Sequence, residues 1–396
     1  MLFSRLAIIS LPLIVFALQP MTAIAESESP FNKVLHKIGS NENIVGLAVA
    51  VVRKGQISYL NTFGVREFGH PELITPQTTF RIASLSKAFA ATVTSKLVDE
   101  KKLSFNAPIS DFNQDFQLRD AAQTKSATLS HALSHRLSLP PYAYDNLLEA
   151  GVPTAKILRE MKKVTPVCKV GTCYTYQNVG FNTITSAIEN TSDQDYASVV
   201  KEQLFKPLGM SGASFGKENL EKSTNWARSH NFVGTRYKKT QSKRKASWKV
   251  REVKQAYYDV PAAGGINANI SDMAKWLAAQ MGYAPTVIPP ERLATLHSPQ
   301  VTTPAELRRN RRLKRLSAAH YGLGWRIFKY AGHTVVNHSG SVESYVAQIA
   351  FLPDQDVGIV LLSNSHSREF WDILPLFLDN ELGLENNLLS KANLDK

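Results

Sequence analysis

Ser84 and Lys87 lie three positions apart at the start of an apolar stretch, a spacing that can support nucleophilic catalysis. The residues that follow include Phe89, Val93 and Leu97, and a helix that is apolar on most faces is expected to be buried. Residues at i and i+3 share one helix face, so the hydroxyl and the amine would be neighbours. Desolvation lowers the pKa of a lysine, which can then take the proton of a serine hydroxyl. The pair predicts a serine nucleophile with a lysine base, and the free N–H groups of the helix start could bind an oxyanion.

The Ser-x-x-Lys pattern carries little weight alone, because it recurs in the chain. Three further copies occur at Ser198/Lys201, Ser214/Lys217 and Ser242/Lys245. The alternative interpretation at position 84 is a helix-starting serine beside a solvated lysine. Other motifs are therefore needed to distinguish the two interpretations.

Two further motifs follow in the chain. Residues 176–178 read Tyr-Gln-Asn and stand before a predicted helix over 181–189. Residues 338–340 read His-Ser-Gly, and we expect them to end a strand of a C-terminal sheet. An ordered set of motifs is more specific than any one of them.

In this order the motifs resemble those of the serine β-lactamase and penicillin-binding protein superfamily, and its class C-like branch most of all. The supporting segments are 80–83 (Phe-Arg-Ile-Ala), 263–266 (Ala-Gly-Gly-Ile), 321–325 (Tyr-Gly-Leu-Gly-Trp) and 351–353 (Phe-Leu-Pro). The resemblance covers nearly the whole chain beyond the first residues. It implies an α/β (α+β) fold of the β-lactamase/DD-peptidase type, with an antiparallel sheet from both termini and an inserted helical region.

The resemblance also implies catalytic roles for three side chains. Ser84 would attack a carbonyl and form a covalent ester, while Lys87, together with the Tyr176 phenol, would accept and relay the proton. No metal and no organic cofactor would be needed. The implied substrates are D-alanyl peptides, small esters or amides.

The resemblance assigns substrate binding to the remaining motif residues. Asn178 would bind a substrate amide, and the backbone N–H groups of Ser84 and Ser341 would form an oxyanion hole. His338, Ser339 and Gly340 would lie on the leaving-group side. Aromatic residues expected as cavity walls are Tyr174, Tyr345 and Trp325, with simple core packing as the alternative.

The chain departs from the family pattern at two places. Residues 135–140 read His-Arg-Leu-Ser-Leu-Pro where the family often has His-Thr-Ser-Gly-Leu-Pro. The third motif begins with His338, where the typical class C β-lactamase has a lysine, and a histidine is mostly neutral above about pH 6.5. This favours a carboxypeptidase or esterase. The alternatives are a true class C-like β-lactamase and a catalytically silent penicillin- or cell-wall-binding protein.

Strand patterns at both ends of the chain flank a helical middle. Apolar runs at 45–52 and 57–65 predict a hairpin within a first α/β part, 26–100, and residues 101–261 predict a helical domain. A second α/β part, 262–385, contains predicted strands at 325–330, 334–337, 345–351 and 357–362. In it Ser271 is expected to cap a helix, another helix is expected over 368–382, and residues 386–396 are expected to be a polar tail.

Residues 1–25 have the character of an export signal. Arg5 precedes an apolar stretch, and residues 23–25 (Ala-Ile-Ala) fit a cleavage site after Ala25. We therefore expect a periplasmic or secreted protein that is not transmembrane after processing. An uncleaved anchor is the alternative.

The two cysteines, Cys168 and Cys173, stand five positions apart around Gly171. In an oxidising compartment they are expected to form a local disulfide, and the alternative is two free thiols. A metal site is not expected, since two ligands do not complete a tetrahedral shell.

The net charge of +13 is concentrated in two segments. Residues 234–255 contain nine Lys or Arg and one Glu, and residues 307–320 contain six Lys or Arg and no acid. For an exported protein these segments favour an anionic envelope surface or cell wall over nucleic acid as partner, beside a small-molecule or peptide substrate. Two solvated loops are the alternative interpretation.

Overall fold

An antiparallel sheet organises the part of the chain that the computed structural model describes, residues 29–233 and 247–394. The described strands are β1 (Gly46–Arg53), β2 (Gln56–Gly64), β3 (Phe80–Arg81), β4 (Ser214–Phe215), β5 (Ser229–Val233), β6 (Ser247–Arg251), β7 (Ile266–Ala268), β8 (Val301–Thr302), β9 (Leu316–Tyr321), β10 (Arg326–Tyr330), β11 (His333–Val342), β12 (Tyr345–Leu352) and β13 (Val357–Ser363). Eight of them pair in the order β2-β1-β13-β12-β11-β10-β9-β8. The predicted sheet from both termini is confirmed.

Helices cover both faces of this sheet. The described α-helices are α1 (Pro30–Gly39), α2 (Ser86–Asp99), α3 (Ala121–Ser126), α4 (Leu129–Leu133), α5 (Asp145–Glu149), α6 (Thr154–Glu160), α7 (Thr183–Ser192), α8 (Tyr196–Val200), α9 (Lys217–Lys222), α10 (Pro261–Gly264), α11 (Ile270–Ala278), α12 (Pro290–Leu296), α13 (Pro304–Arg309), α14 (Phe370–Glu381) and α15 (Asn387–Leu394). Seven of them, α3 to α9, fall in the predicted helical region 101–261. Within the described ranges no helix combines the length and the apolar character that crossing a bilayer requires.

Strand β1 shows how the sheet separates two apolar layers. Leu47 and Val49 belong to a cluster that includes Phe31 of α1 and residues of α14. Ala48 and Ala50 belong to a second cluster, which includes α2. Successive side chains of a strand point to opposite faces, so a continuous apolar run is what burial on both faces requires.

Helix α2 is the centre of the second layer. The ring of Phe89 stacks on Trp276 of α11 with centroids 3.7 Å apart. Ser84 was predicted at the start of a helix, but the structure places it on a 3₁₀ turn at Ala83–Leu85, between β3 and α2. The cause is the pairing of Phe80 with Ala268 of β7, which extends the chain before the helix begins.

The helical region contains a hairpin that its sequence did not predict. β5 and β6 pair with each other. In the sequence they stand before and after residues 234–246, which are outside the described residues. Trp248 of β6 is buried and its indole N–H donates to the Glu42 carbonyl at 3.1 Å. A long-range anchor of this kind leaves no period-two apolar pattern in the sequence.

Three smaller predictions differ from the structure. Asn269, not Ser271, caps α11, since its side chain accepts from the Asp272 backbone N–H at 2.8 Å. The His-Ser-Gly motif at 338–340 lies inside β11 instead of at its end. The expected polar tail contains α15, which packs against α1 and buries Leu389.

Cys168 and Cys173 are joined by a disulfide with Cα atoms 6.3 Å apart. Gly171 between them has φ 85°, a conformation that glycine adopts without strain. The predicted export signal, residues 1–25, lies outside the described residues.

Candidate active site

Ser84 lies on the 3₁₀ turn that precedes α2, and β11 passes close to that turn. A Cβ atom added to Gly340 would stand 2.5 Å from the Ile82 carbonyl oxygen and 2.9 Å from the Ser84 backbone nitrogen. Only a glycine permits this approach of two backbones. The third motif therefore brings its backbone against the serine.

The amine of Lys87 is fully buried and contacts Ser84. Its Nζ donates to Ser84 Oγ at 3.4 Å, to Asn178 Oδ1 at 2.8 Å and to the Ala263 carbonyl at 2.9 Å. Burial lowers the pKa of Lys87 well below its ordinary value, and the Asp145 carboxylate partly opposes that shift. A neutral amine in this place can act as the base for Ser84.

Asn178 connects Lys87 to a carboxylate that the sequence did not single out. Its Nδ2 donates to Asp145 Oδ2 at 2.6 Å while its Oδ1 accepts from Lys87. These two bonds determine which way the amide faces. Burial raises the pKa of Asp145, and the Asn178 hydrogen bond and the Lys87 charge oppose the rise.

The phenol of Tyr176 faces the same two catalytic groups. Lys87 Nζ lies 4.7 Å from the Tyr176 ring centroid. Burial raises the pKa of Tyr176 far above its ordinary value, while the Arg326 charge and a hydrogen bond with Ser84 oppose the rise. At neutral pH the phenol therefore keeps its proton, and the amine of Lys87 is the better base.

His338 is fully buried, and the expectation that it lines the leaving-group side is wrong in this structure. Its Nδ1 lies 2.9 Å from the Ser339 carbonyl and its Nε2 lies 3.0 Å from the Tyr321 hydroxyl. The Gln177 backbone N–H donates to His135 Nδ1 at 3.1 Å, and His135 Nε2 lies 3.2 Å from the same hydroxyl. With a proton on His338 Nδ1 and on His135 Nε2, the Tyr321 hydroxyl accepts from His135 and donates to His338. Two neutral imidazoles therefore satisfy all four hydrogen bonds.

Burial lowers the pKa of both imidazoles, and nearby cations add to the shift. For His338 the added charges are those of Arg326 and Lys87. The neutral ring of His338 connects β11 to Tyr321 of β9 through a hydrogen bond on the side away from the cavity. His338 is therefore a positioning residue for the strand that approaches Ser84.

The motif residues border one cavity of about 210 Å³, the catalytic cavity. Its lining consists of Ala83, Ser84, Tyr142, Asp145, Tyr176, Asn178, Tyr257, Ala263, Gly264, Arg326, Ser339, Gly340, Ser341, Val342 and Trp371. The structure thus brings Ser84, Tyr176 and Asn178 together with residues 339–341, above the buried amine of Lys87. A cavity at the seam of sheet and helices is where such sites are expected.

The expected aromatic walls are not the walls of this cavity. Trp325 and Tyr345 are fully buried, and the Tyr345 hydroxyl donates to the Ala227 carbonyl at 2.6 Å. Tyr174 is half-buried and packs on Tyr321 with ring centroids 5.4 Å apart. Other aromatic residues, Tyr142, Tyr257 and Trp371, border the cavity instead. Tyr142 lies on a loop, Tyr257 on a 3₁₀ turn and Trp371 on α14, and no local pattern indicates that these three segments meet.

Arg326 is a further residue of the catalytic cavity that the motifs did not indicate. It follows Trp325 at the start of β10, and its side chain is 13% exposed. Its nearest acid is Glu306, 3.6 Å from Nε, and among the described residues Nε and Nη1 have no hydrogen-bond acceptor. These two nitrogens are buried, but the guanidinium borders the catalytic cavity, where its charge can attract a substrate carboxylate.

Metal ligands are not grouped in this part of the molecule. Within residues 29–233 and 247–394, no three His, Cys, Asp or Glu side chains are arranged to hold a metal ion.

Sequence comparison finds similar proteins of known name. An unguisins hydrolase of Aspergillus campestris is 26% identical over 354 residues, covering 85% of this chain and 62% of its own. Protein flp of Staphylococcus aureus is 22% identical over 349 residues, covering 87% of this chain and 64% of its own. The chain thus spans less than two thirds of the length of these relatives.

Solved structures show the same fold. An octameric penicillin-binding protein homologue from Pyrococcus abyssi superposes with a TM-score of 0.77 at 24% identity, covering 90% of this chain and 77% of that one. A class C β-lactamase mutant superposes with a TM-score of 0.69 at 19% identity, covering 89% and 96%. The Beta-lactamase family matches residues 31–376. With this match, and with the fold and the motif residues around one cavity, the chain belongs to the Beta-lactamase family.

Proposed function

We propose that the protein is a serine hydrolase that forms an acyl-enzyme at Ser84 and acts on D-alanyl peptides, small esters or amides. The observation that carries the proposal is the contact of Ser84 Oγ with the buried Lys87 amine, whose pKa is lowered. The neutral amine takes the hydroxyl proton as Oγ attacks the carbonyl, and the proton passes through Tyr176 to the leaving group. Water then hydrolyses the ester and regenerates the hydroxyl.

Backbone donors would stabilise the negative oxygen of the tetrahedral intermediate. The N–H groups of Ser84 and Ser341 are the candidates, because Gly340 lets β11 approach the Ser84 nitrogen. Loss of one such donor typically costs about 10²–10³ in kcat. Substrate amide recognition is assigned to Asn178.

Arg326 supports a substrate that carries a carboxylate near the scissile bond. Its guanidinium borders the catalytic cavity, whereas the buried neutral ring of His338 offers no charge there. The C-terminal carboxylate of a D-alanyl peptide meets this requirement. A β-lactam carboxylate meets it too, so a class C-like β-lactamase is the second candidate.

A substrate panel on the purified protein tests the proposal. The panel contains a chromogenic ester, an acyl-D-alanyl-D-alanine peptide, a chromogenic cephalosporin and a fluorescent penicillin. We expect turnover of the ester or the peptide, with slower release of the penicillin. Labelling by penicillin without turnover of any substrate would identify a silent binding protein. The absence of both labelling and turnover would contradict the proposal.

We also propose that the protein acts in the periplasm or outside the cell. The support is the sequence of residues 1–25 and the disulfide between Cys168 and Cys173, a bond typical of oxidising compartments. N-terminal sequencing of protein recovered from the cell envelope or medium should begin at Glu26. Recovery of the intact N-terminus from the cytoplasm would refute this assignment.

A further inference from the structure

A second cavity, larger than the catalytic one, lies elsewhere in the described residues. A cavity of about 760 Å³ lies between the segment 309–315, α14 and the start of α15, and none of its lining residues borders the catalytic cavity. Six basic side chains line it: Arg309, Arg311, Arg312, Lys314, Arg315 and Arg368. We call this feature the basic cavity.

Two of the six cations are neutralised by acids in the cavity wall. Arg312 pairs with Asp372 at 2.7 Å, and Arg315 pairs with Asp379 at 2.8 Å. Asp379 also accepts from the Tyr330 hydroxyl at 2.6 Å, so its Oδ1 has little capacity for another cation. These pairs shape the wall, which also contains the carboxylate of Glu385.

Three cations have no acid within ion-pair distance anywhere in residues 29–233 and 247–394. They are Arg311, Lys314 and Arg368, all exposed, while the acid nearest to Arg309 is Glu306 at 3.4 Å. The six cations of the wall outnumber its three acids, Asp372, Asp379 and Glu385, and a concave surface with excess positive charge concentrates anions. The arrangement is therefore complementary to a ligand with several negative charges.

The chemistry of the wall indicates which anion fits. Guanidinium groups bind phosphate in bidentate fashion, and five of the six cations are arginines. The remaining wall includes Pro375, Leu376 and Leu388, the last with 51% of its surface exposed. A ligand with a phosphate group and an uncharged organic part could contact the arginines with the first and the apolar residues with the second.

We propose that the basic cavity is a second, non-catalytic binding site for a phosphate-bearing ligand of two or more negative charges. The site gives a specific role to the basic segment that the sequence associated with anionic surfaces. The phosphate can belong to a soluble compound or to the headgroup of an anionic phospholipid. These sources share the same recognition chemistry.

Calorimetric titration of the purified protein with inorganic pyrophosphate tests the soluble source. Cosedimentation with vesicles that contain cardiolipin, whose two phosphates carry two negative charges, against vesicles of phosphatidylcholine alone, tests the lipid source. The test variant is Arg311→Ser/Lys314→Ser/Arg368→Ser. The matched control, Lys125→Ser/Lys156→Ser/Lys162→Ser, removes the same charge from exposed lysines of the helical region that do not line the cavity.

We expect saturable binding of at least one probe by the wild-type protein, weakened at least tenfold in the test variant and less than twofold in the control. Ester hydrolysis and the melting temperature should be the same in all three proteins. Pyrophosphate binding alone would assign the soluble source, and vesicle binding alone the lipid source. The proposal is overturned if the wild type binds neither probe, or if test and control variants lose affinity equally, which would indicate only general charge attraction.

Discussion

A lysine amine in water holds its proton at neutral pH, and Lys87 differs because the protein excludes water from it. The fold provides its Nζ with two oxygen acceptors, on Asn178 and Ala263, without placing a carboxylate in direct contact. A direct ion pair would raise the pKa and remove the base. The nearest charge that favours the protonated amine, Asp145, acts through Asn178 instead.

The pH profile of the enzyme should show this arrangement. Since the pKa of Lys87 is lowered, the neutral amine is present above that pKa, and kcat/KM should fall as the pH drops through it. This acid limb is expected well below the ordinary lysine value. Asp145→Asn removes the charge that raises the Lys87 pKa, so the limb should move to lower pH. A limb that stays in place or moves upward in this variant would show that Lys87 is not the titrating group.

The charge of Arg326 at the border of the catalytic cavity predicts a selective defect. Arg326→Gln should raise KM for a peptide that ends in a carboxylate by about tenfold or more, since hydrogen bonds to charged groups are worth roughly 1.5–3 kcal/mol. Hydrolysis of a neutral ester should change by less than about threefold, and Arg326→Lys should recover part of the loss. Equal losses with both substrates would assign Arg326 a structural role instead.

Among individual residues, the sequence predicted the site residues that stand in motifs. It did not predict those that reach the site only through the tertiary fold. Ser84, Lys87, Tyr176 and Asn178 stand in motifs, and the structure brings them together. Arg326 and Asp145 come from segments with no motif, and the burial of His338 depends on Tyr321 from a different strand. A lysine at 338 would enter a buried site with two occupied hydrogen bonds, so its charge would not simply face the substrate.

At the scale of elements, the approach of β11 to the turn at Ala83–Leu85 creates the site. A Cβ at position 340 would clash with the Ile82 carbonyl and the Ser84 nitrogen, so Gly340→Ala should push the strand away. We expect a loss of about 10²-fold in kcat, the typical cost of a misplaced oxyanion donor. The measurement is kcat for a small ester at saturation.

Gly332→Ala is the matched control for this strand. Gly332 has φ 87° and no atom within 4 Å of an added Cβ, so alanine there costs stability through backbone strain alone. Its kcat should equal that of the wild type. If Gly340→Ala also kept full activity, the close approach of β11 would not matter for catalysis.

Buried elements were the ones that the sequence predicted well. β1 and β13 are continuous apolar runs, and their predicted positions agree with the structure to within one or two residues. The strands of five or more residues that were missed are β5, β6 and β9, which contain polar residues and are stabilised by pairing with neighbouring strands. Local pattern cannot reveal such strands, because their stabilisation comes from contacts that form only in the folded chain.

At the scale of the whole molecule, helix α1 closes one apolar layer against α14. Phe31 of α1 is buried and packs edge-on against Phe377 of α14, with ring centroids 5.7 Å apart. Phe31→Ala should lower the free energy of unfolding by about 3–5 kcal/mol. Phe68→Ala, at a position 45% exposed, should change it by less than about 0.5 kcal/mol. Urea melts of the two variants give the comparison, and similar values would show that α1 is not part of the core.

The central claim is that Ser84 carries the acyl group during turnover. The measurement is intact-mass spectrometry after incubation with a penicillin, for the wild type and for Ser84→Ala, followed by peptide mapping of any adduct. The substitution removes one hydroxyl and should leave the melting temperature unchanged. We predict a single adduct of the penicillin mass on the wild-type peptide that contains Ser84, and none on the variant. An adduct that persists in Ser84→Ala, or maps to another residue, would contradict the assignment of the nucleophile.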